Sequence, residues 1–289
     1  MSTDRLFASP RQITELADCY FYHRFELPGH GVVGGEWDLR GGEDAYLGGV
    51  SLEGKRVLEM GTASGYMCRY MESRGAEVVA FDLSTEQSWD LVPFAHLDVG
   101  SLRAEMRNHI HRLNNGWWLA HRLCQSKANV VYGNIYDVPT AIGPVDVATF
   151  GAILLHLRDP FHALYNALRL TRETAIVTEV HPEQPAGSGL GSVVPPTAAP
   201  SRLARWLKPF LPATDRPGHP GALYFLPDSR TTDPWTGATW WSLPPEAICR
   251  FLSVLGFEKT VVTEHEQSVF GKKARLYTVV GTRTRKLET

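Results

Sequence analysis

Residues 56–67 read RVLEMGTASGYM, and this stretch decides the fold. It begins as a short apolar run, typical of a buried strand, and continues into a turn that contains Gly61 and Gly65. Residues 64–73 then have a helical pattern, and residues 77–81 (EVVAF) predict a second strand. A strand, a glycine turn, a helix and another strand make a βαβ unit, which predicts a parallel sheet with a right-handed crossover.

The same alternation continues along the chain. A helix is expected from residue 160, because Asp159 and Pro160 form a good N-cap and first-turn pair, and another from Pro245. Apolar residues at steps of three and four from Leu102 to Cys124 predict a long amphipathic helix. Further strands are predicted at 129–132, 145–150, 174–180, 257–263 and 274–282. The fold class is therefore α/β, a Rossmann-like, seven-stranded, mostly parallel sheet with helices on both faces.

We divide the chain into an N-terminal lead-in, 1–50, and a domain, 51–289. The lead-in is predicted to hold a helix over 10–20 and glycine-rich loops, and to cover the cofactor site. The domain carries two insertions, a helical one at 84–128 and a cap at 182–243. The cap is rich in Pro, Gly and Ser and then in aromatic residues, which predicts a lid over a pocket. The aromatic residues indicate that the acceptor bound in this pocket has an apolar or ring surface. The aromatic residues are Tyr224, Phe225, Trp235, Trp240 and Trp241.

Composition excludes several classes of protein. The net charge of −2 does not indicate a nucleic-acid partner. Four scattered cysteines show neither disulfide nor zinc spacing, and no acidic cluster has metal spacing, so we predict reduced thiols and no metal. The sequence has no signal peptide and no apolar run long enough to span a bilayer, which predicts a cytoplasmic protein that does not bind membranes. Its oligomeric state stays open, with a homodimer as one alternative.

The glycine turn is the predicted ligand site. Ligands of open α/β sheets bind beyond the carboxyl ends of the strands, where a turn without side chains lets backbone N–H groups approach them. Ala63 replaces the middle glycine of dinucleotide-binding turns, and Glu59 would serve a pyrophosphate poorly. An acidic residue suits a cationic ligand end, such as the ammonium of S-adenosylmethionine (SAM). The predicted contacts in this turn are Glu59, Gly61, Thr62, Ala63, Ser64 and Gly65.

The next three strands each end in further candidate contacts. The acid after the second strand, about 20 residues past the turn, would accept hydrogen bonds from a ribose diol. The residues after the third strand would surround adenine, and the pair after the fourth would border the transferred methyl group. In that order they are Asp82 with Leu83, then Asn134, Ile135 and Tyr136, and then Phe150 with Gly151.

In these motifs the chain resembles the class I SAM-dependent methyltransferases. More narrowly, it is similar to the bacterial branch that contains the tRNA wobble-uridine carboxymethyltransferase, over about residues 22–281. The segments that carry the resemblance are YHRFELPG, GEWDL, GKRVLEMGTASGYM, VVAFDLS, YGNIYDVP, FGAILLHLRDP and TWWSLPPEAICRFLSVLGF. It implies SAM as cofactor and places Trp37 over it; the alternative role of Trp37 is a core anchor.

The chain departs from that branch where the branch binds the extra carboxylate of carboxy-SAM. It has His23 and Gly42 where lysines would stand, and Leu155 where a tyrosine would stand. A carboxylate without those donors would be poorly solvated. We therefore predict ordinary SAM and O-methylation of a small-molecule or glycan acceptor. The alternatives are a tRNA wobble-uridine (carboxy)methyltransferase, a catalytically silent SAM-binding protein and an NAD-dependent oxidoreductase.

Transfer to a hydroxyl needs a group that takes the proton. His156, just past the fourth strand, is the first candidate base, and His181, after the fifth strand, is the second. The alternative for each is a structural histidine that orders its loop. His23 and His30 in the lead-in would close over the cofactor or the acceptor.

Overall fold

The computed structural model describes residues 6–96, 98–182, 221–229 and 239–287. Trp235 and most of the cap 182–243 lie outside these residues. The helices are α1 Glu43–Tyr46, α2 Tyr66–Ser73, α3 Val99–Leu123, α4 Pro160–Leu168 and α5 Pro245–Val254. The strands are β1 Phe25–Leu27, β2 Gly31–Val33, β3 Trp37–Asp38, β4 Arg56–Met60, β5 Glu77–Asp82, β6 Asn129–Tyr132, β7 Val145–Gly151, β8 Thr171–Val180, β9 Tyr224–Phe225, β10 Trp241–Ser242, β11 Lys259–Val269 and β12 Lys272–Thr282.

Eight of these strands form one sheet, in the order β3-β11-β12-β8-β7-β4-β5-β6. The five strands from β8 to β6 run parallel, whereas β12, β11 and β3 each pair antiparallel with their neighbour. From β4 the chain proceeds to β5 and β6 on one side and then to β7 and β8 on the other. The strand order therefore reverses beside β4, and a crevice is expected at the carboxyl ends of β4 and β7.

Side-chain alternation along the strands gives the sheet two apolar faces. Val57 belongs to the core cluster that α2, α3 and the lead-in cover, whereas Leu58 belongs to the cluster that α4 and α5 cover. Glu59 follows on the first face, between apolar neighbours, so the period of two buries its carboxyl group. Helices on both faces confirm the predicted Rossmann-like architecture.

Local signals explain where the helices begin. Asp98 accepts backbone N–H groups of Gly100 and Ser101 at the start of α3, and Asp159 accepts that of His162 at the start of α4. In the described part of the chain no helix is long and apolar enough to cross a membrane.

The lead-in differs from its prediction. It contributes β3, which pairs with the end of β11 and gives the sheet an eighth strand, and a hairpin of β1 and β2. The helix predicted over 10–20 is wrong, because only Leu16–Asp18 form a single 3-10 turn. The segment instead lies along α3, whose Arg112 and Arg122 donate to its backbone carbonyl groups. Those bonds satisfy carbonyls that a helix would otherwise have used.

Candidate functional site

The turn between β4 and α2, with Glu59 before it, is called the cofactor loop (residues 59–65). Three of its residues have positive φ: Gly61 at 79°, Ala63 at 50° and Gly65 at 77°. The N–H of Gly61 donates to the carbonyl of Phe81 at 2.8 Å, and that of Gly65 to the carbonyl of Thr62 at 2.9 Å. These bonds fix a backbone path that is left-handed at all three positions, a conformation that favours glycine, and two of the three residues are glycines.

Side chains pack closely against both glycines. A Cβ built on Gly61 would lie 2.5 Å from Cδ1 of Ile153, and one built on Gly65 would lie 2.7 Å from Cδ1 of Trp117. Trp117 is buried and its ring contacts those of Trp118 and His121, so it has no room to retreat. Gly65 thus serves both the backbone path and the packing of α3.

Asp82, at the end of β5, is bonded to the cofactor loop. Its carboxylate accepts the N–H of Ala63 at 2.6 Å through one oxygen and that of Leu83 at 2.7 Å through the other. Burial raises the pKa of Asp82 to about 6, although both backbone bonds oppose the shift. Each carboxylate oxygen has a second lone pair, so the group remains able to accept bonds from a ligand diol.

Glu59 is a buried acid, 6% exposed, below the loop. It accepts a bond from the Cys68 thiol at 2.7 Å, and Thr62 contacts the same sulfur at 3.1 Å. Burial raises the pKa of the Glu59 carboxyl group, and the bonds from Cys68 and Thr62 oppose this. Ser64, also buried, accepts the backbone N–H of Tyr22 and so ties the loop to the lead-in.

A small cavity of about 20 Å³ adjoins the loop, with room for about one water molecule. It lies between β4, β7 and β8 below α1 and α2, and it brings together four of the predicted contacts, Glu59, Gly61, Phe150 and Gly151. Its residues include one carboxyl group and neither lysine nor arginine. The full set is His23, Tyr46, Leu47, Glu59, Met60, Gly61, Met67, Thr149, Phe150, Gly151, Ile176 and Thr178.

His23 lines this cavity from the lead-in. Its Nδ1 is buried without a hydrogen-bond partner in the described structure, and its ring stacks on that of Tyr66 at 5.8 Å. Burial, assisted by the positive charge of Arg69, lowers the pKa of His23 to about 3. The imidazole is therefore neutral at physiological pH.

The pKa of His23 predicts an acid-sensitive contribution to stability. The folded protein binds its proton far more weakly than the unfolded chain, so stability is complete above about pH 6.5 and falls as the pH drops below it. When the pH is lowered from about 7 to about 5, the unfolding free energy of wild type should fall by about 2 kcal/mol more than that of His23→Gln. Urea unfolding at the two pH values measures this. His30→Gln, in the exposed turn between β1 and β2, should show the same change of unfolding free energy between the two pH values as wild type. An equal change in all three proteins would contradict the prediction.

The residues predicted around adenine have other partners. Asn134 accepts the N–H of Tyr136 and forms a turn, and Ile135 is buried in the core cluster beneath α4. The hydroxyl of Tyr136 donates to Asp90 at 2.5 Å and accepts the N–H of Asp159 at 3.0 Å. Tyr136 thus joins three connecting segments, and the cofactor role of these residues stays a prediction.

The segment 152–156, called the β7 turn, follows β7 and ends in a 3-10 helix, Leu154–His156, whose last residue is the first candidate base. Trp240 donates its backbone N–H to the carbonyl of Leu155, and its indole N–H donates to the carbonyl of Asp90. The indole of Trp241 donates to the carbonyl of Arg158. The described part of the cap therefore packs on the turn that carries His156.

Three predicted residues lie away from the cavity. Trp37 is buried in the core and pairs with Val269. Nε2 of His181 lies 3.8 Å from Oε1 of Glu264 in β11, and its ring contacts that of Tyr277. His30 is exposed. Among the described residues, no group of three His, Cys, Asp or Glu side chains is arranged to hold a metal ion.

Sequence reasoning missed two residues of this site. A Cβ built on Gly151 would lie 2.6 Å from the Tyr46 hydroxyl, so Tyr46 of α1 covers the end of β7. No pattern in the lead-in indicates this contact. Glu179, 1% exposed at the end of β8, accepts the N–H of Leu154 at 2.7 Å. An acid within the apolar run TAIVTEV was the available signal.

Residues 44–231 match the family model described as "Methyltransferase domain", which is more than half of the chain. The chain belongs to this methyltransferase family. The predicted enzyme class and cofactor, a methyltransferase that uses SAM, are thereby confirmed. No curated protein matches the sequence of this methyltransferase.

The solved structures that this chain matches include other methyltransferases. The 1,6-didemethyltoxoflavin-N1-methyltransferase of Burkholderia thailandensis is 13% identical, with 86% of this chain and 78% of that chain covered and a TM-score of 0.47. The magnesium protoporphyrin IX methyltransferase of Synechocystis is 11% identical, with 81% and 76% covered and a TM-score of 0.43. A SAM-dependent methyltransferase of Methanosarcina mazei is 17% identical, with 81% and 94% covered and a TM-score of 0.46. Identities this low do not identify an acceptor.

The donor set around the loop fits SAM in its chemistry. The buried acid Glu59 suits the ammonium group of SAM, and the glycine turn lets the backbone approach the ligand closely. The carboxylate of Asp82, one strand away, suits the ribose diol. The cavity is smaller than the cofactor, so side chains against the loop are expected to move on binding, and Ile153, whose Cδ1 would lie 2.5 Å from a Cβ built on Gly61, is the first candidate.

Proposed function

We propose that this methyltransferase transfers the methyl group of SAM to an oxygen of a small-molecule or glycan acceptor. The cofactor would lie on the loop 59–65, with its ammonium group toward Glu59 and its ribose on Asp82. Asn134, Ile135 and Tyr136 would border the adenine. The observation that carries the proposal is the charge of the cavity beside the loop, which holds the carboxyl group of Glu59 and no lysine or arginine.

That charge favours ordinary SAM over carboxy-SAM. A second carboxylate on the transferred group would need a cation or several donors, and the neutral His23 is not a cation. A lysine in place of Gly42 would displace the Gln267 side-chain amide, because a Cβ there would lie 2.5 Å from its oxygen. Gln267 itself donates to the Gly42 carbonyl at 3.0 Å and is buried.

SAM supplies an electrophilic methyl group on a sulfonium, and the chain has to align the acceptor and exclude water. The Gly151 end of β7, covered by the hydroxyl of Tyr46, would border the methyl group. Burial raises the pKa of Tyr46 well above its usual value, so the phenol donates hydrogen bonds and does not act as a base. His156 remains the first candidate for taking the acceptor proton and His181 the second.

The cap supports an acceptor with apolar or ring surface. Phe225 contacts the rings of Trp240 and Trp241, and both indoles are bonded to segments beside the β7 turn. A small acceptor would lie between this aromatic group and the cofactor loop. Such a site would be largely apolar, as small-molecule sites generally are.

The test is a transfer assay with methyl-tritiated SAM, in which the purified protein is offered a small-molecule extract in one reaction and total tRNA in another. Label in the small-molecule fraction supports the proposal. Label in tRNA, with salt-sensitive binding, would overturn it in favour of the wobble-uridine alternative, which the motif resemblance favours. With an acceptor in hand, loss of transfer in His156→Gln at unchanged cofactor affinity would identify the base.

A further inference from the structure

Glu179 is a buried carboxyl group that the proposed transfer does not use. It lies at the end of β8, next to the end of β7, and is 1% exposed. Within the described part of the chain it forms no ion pair. A buried carboxylate without a cation is costly unless several hydrogen bonds compensate it.

The compensation comes from the backbone of the β7 turn. Glu179 accepts the N–H of Leu154 at 2.7 Å, and the backbone N–H groups of Ile153, Leu155 and Val180 also act to lower the pKa of its carboxyl group. One N–H group of the β7 turn therefore bonds to Glu179, and its two neighbours along the chain also favour the ionised form of this acid. An ionised carboxylate can accept bonds from such groups, whereas a protonated one has fewer lone pairs and a hydrogen that faces the donors.

The β7 turn, to which Glu179 is bonded, packs against the cofactor loop. Ile153 is the residue whose Cδ1 stands 2.5 Å from a Cβ built on Gly61, and His156 ends the same turn. We propose that Glu179 is a positioning residue for cofactor binding, because its ionised carboxylate fixes the turn that carries Ile153. This inference rests on the proposed placement of SAM on the loop 59–65.

The role makes binding depend on protonation. Burial raises the pKa of Glu179 to about 8, although the surrounding backbone N–H groups oppose the shift, so this carboxyl group is mostly protonated in the free protein at neutral pH. The groups that face it are Tyr46 from α1 and Tyr277 from β12, whose pKa values burial also raises well above the usual range, so both stay neutral. His181 follows Glu179 by two residues, and His156 ends the β7 turn. Affinity should therefore rise with pH through the range in which Glu179 ionises and then level off.

The experiment is calorimetric titration with S-adenosylhomocysteine (SAH) between about pH 6.5 and pH 9. SAH has a neutral sulfur, so direct attraction of a sulfonium to Glu179 does not contribute. We expect Glu179→Gln to bind SAH about tenfold more weakly than wild type at the upper pH and to lack the rise in affinity with pH that Glu179 gives wild type, with Glu179→Asp between the two. His156→Gln and His181→Gln should keep the wild-type pH dependence.

Two controls separate positioning from stability. Glu173→Gln makes the same chemical change at the exposed start of β8, and Thr171→Val removes a buried hydroxyl that bonds to the Ala167 carbonyl. Both should bind SAH as wild type does, although Thr171→Val is expected to have a lower unfolding free energy. If Glu179→Gln fails to fold, wild type alone still tests the inference, because SAH binding near pH 7.5 should release protons, detected as a dependence of the heat on buffer ionisation enthalpy.

The outcomes are distinguishable. Wild type that ignores SAH overturns the proposed function and this inference together. Wild type that binds SAH without proton release, or Glu179→Gln with wild-type affinity and pH dependence, overturns the inference alone.

Discussion

Replacing Asp82 by alanine is expected to weaken SAH binding by about 100-fold, which corresponds to roughly 2.7 kcal/mol. The carboxylate would lose its bonds to the ribose, and the N–H groups of Ala63 and Leu83 would lose their acceptor. Hydrogen bonds to charged groups contribute about 1.5–3 kcal/mol each, and part of that is retained where water replaces the carboxylate. Calorimetric titration with SAH measures the change.

Asp146 supplies the matched control for Asp82. It accepts the backbone N–H of Arg56 at 2.8 Å, so it makes the same kind of bond at the opposite end of β4. Asp146→Ala should lower stability and leave the SAH affinity unchanged. An unaltered affinity in Asp82→Ala, or an equal loss in both variants, would contradict the ribose assignment.

Gly65→Ala is expected to lower the unfolding free energy by about 3 kcal/mol. A left-handed conformation costs a residue with a Cβ about 1–2 kcal/mol, and overpacking a core about 1–3 kcal/mol. Gly65 meets both costs, with φ at 77° and a Cβ that would lie 2.7 Å from Cδ1 of the enclosed Trp117. The midpoint of urea unfolding, compared at constant m-value, measures the loss.

Gly49→Ala isolates the backbone cost. Gly49 has φ at 68°, and a Cβ there meets no atom within 4 Å, so its replacement should cost about 1 kcal/mol. If Gly65→Ala costs no more than Gly49→Ala, the contact with Trp117 is not tight and the packing argument for Gly65 is wrong.

Local signals were enough for most of the fold. The apolar runs located the strands β4 to β8 within a few residues, because a strand buried on both faces needs a continuous apolar sequence. The Asp159-Pro160 pair located the start of α4. The helix predicted over 10–20 failed because Arg112 and Arg122 of α3 satisfy the carbonyls of that segment, and no local pattern indicates such partners.

The candidate site divides in the same way. The loop 59–65 and Asp82 are recognisable because glycines and an acid stand at fixed distances from strand ends. The contact of Tyr46 with Gly151 and that of Gln267 with Gly42 join residues about 100 and 225 positions apart, so only the folded chain reveals them. Glu179 was visible as an acid in an apolar strand, but its partners in the β7 turn were not.

A crystal structure of the complex with SAH tests the placement of the cofactor most directly. We expect Ile153 to have rotated from Gly61, the homocysteine part to lie along Gly61 and Gly65 with its ammonium group toward Glu59, and both ribose hydroxyls to bond to Asp82. SAH bound at another place, or a loop still covered by Ile153 beside bound SAH, would contradict this account of the site.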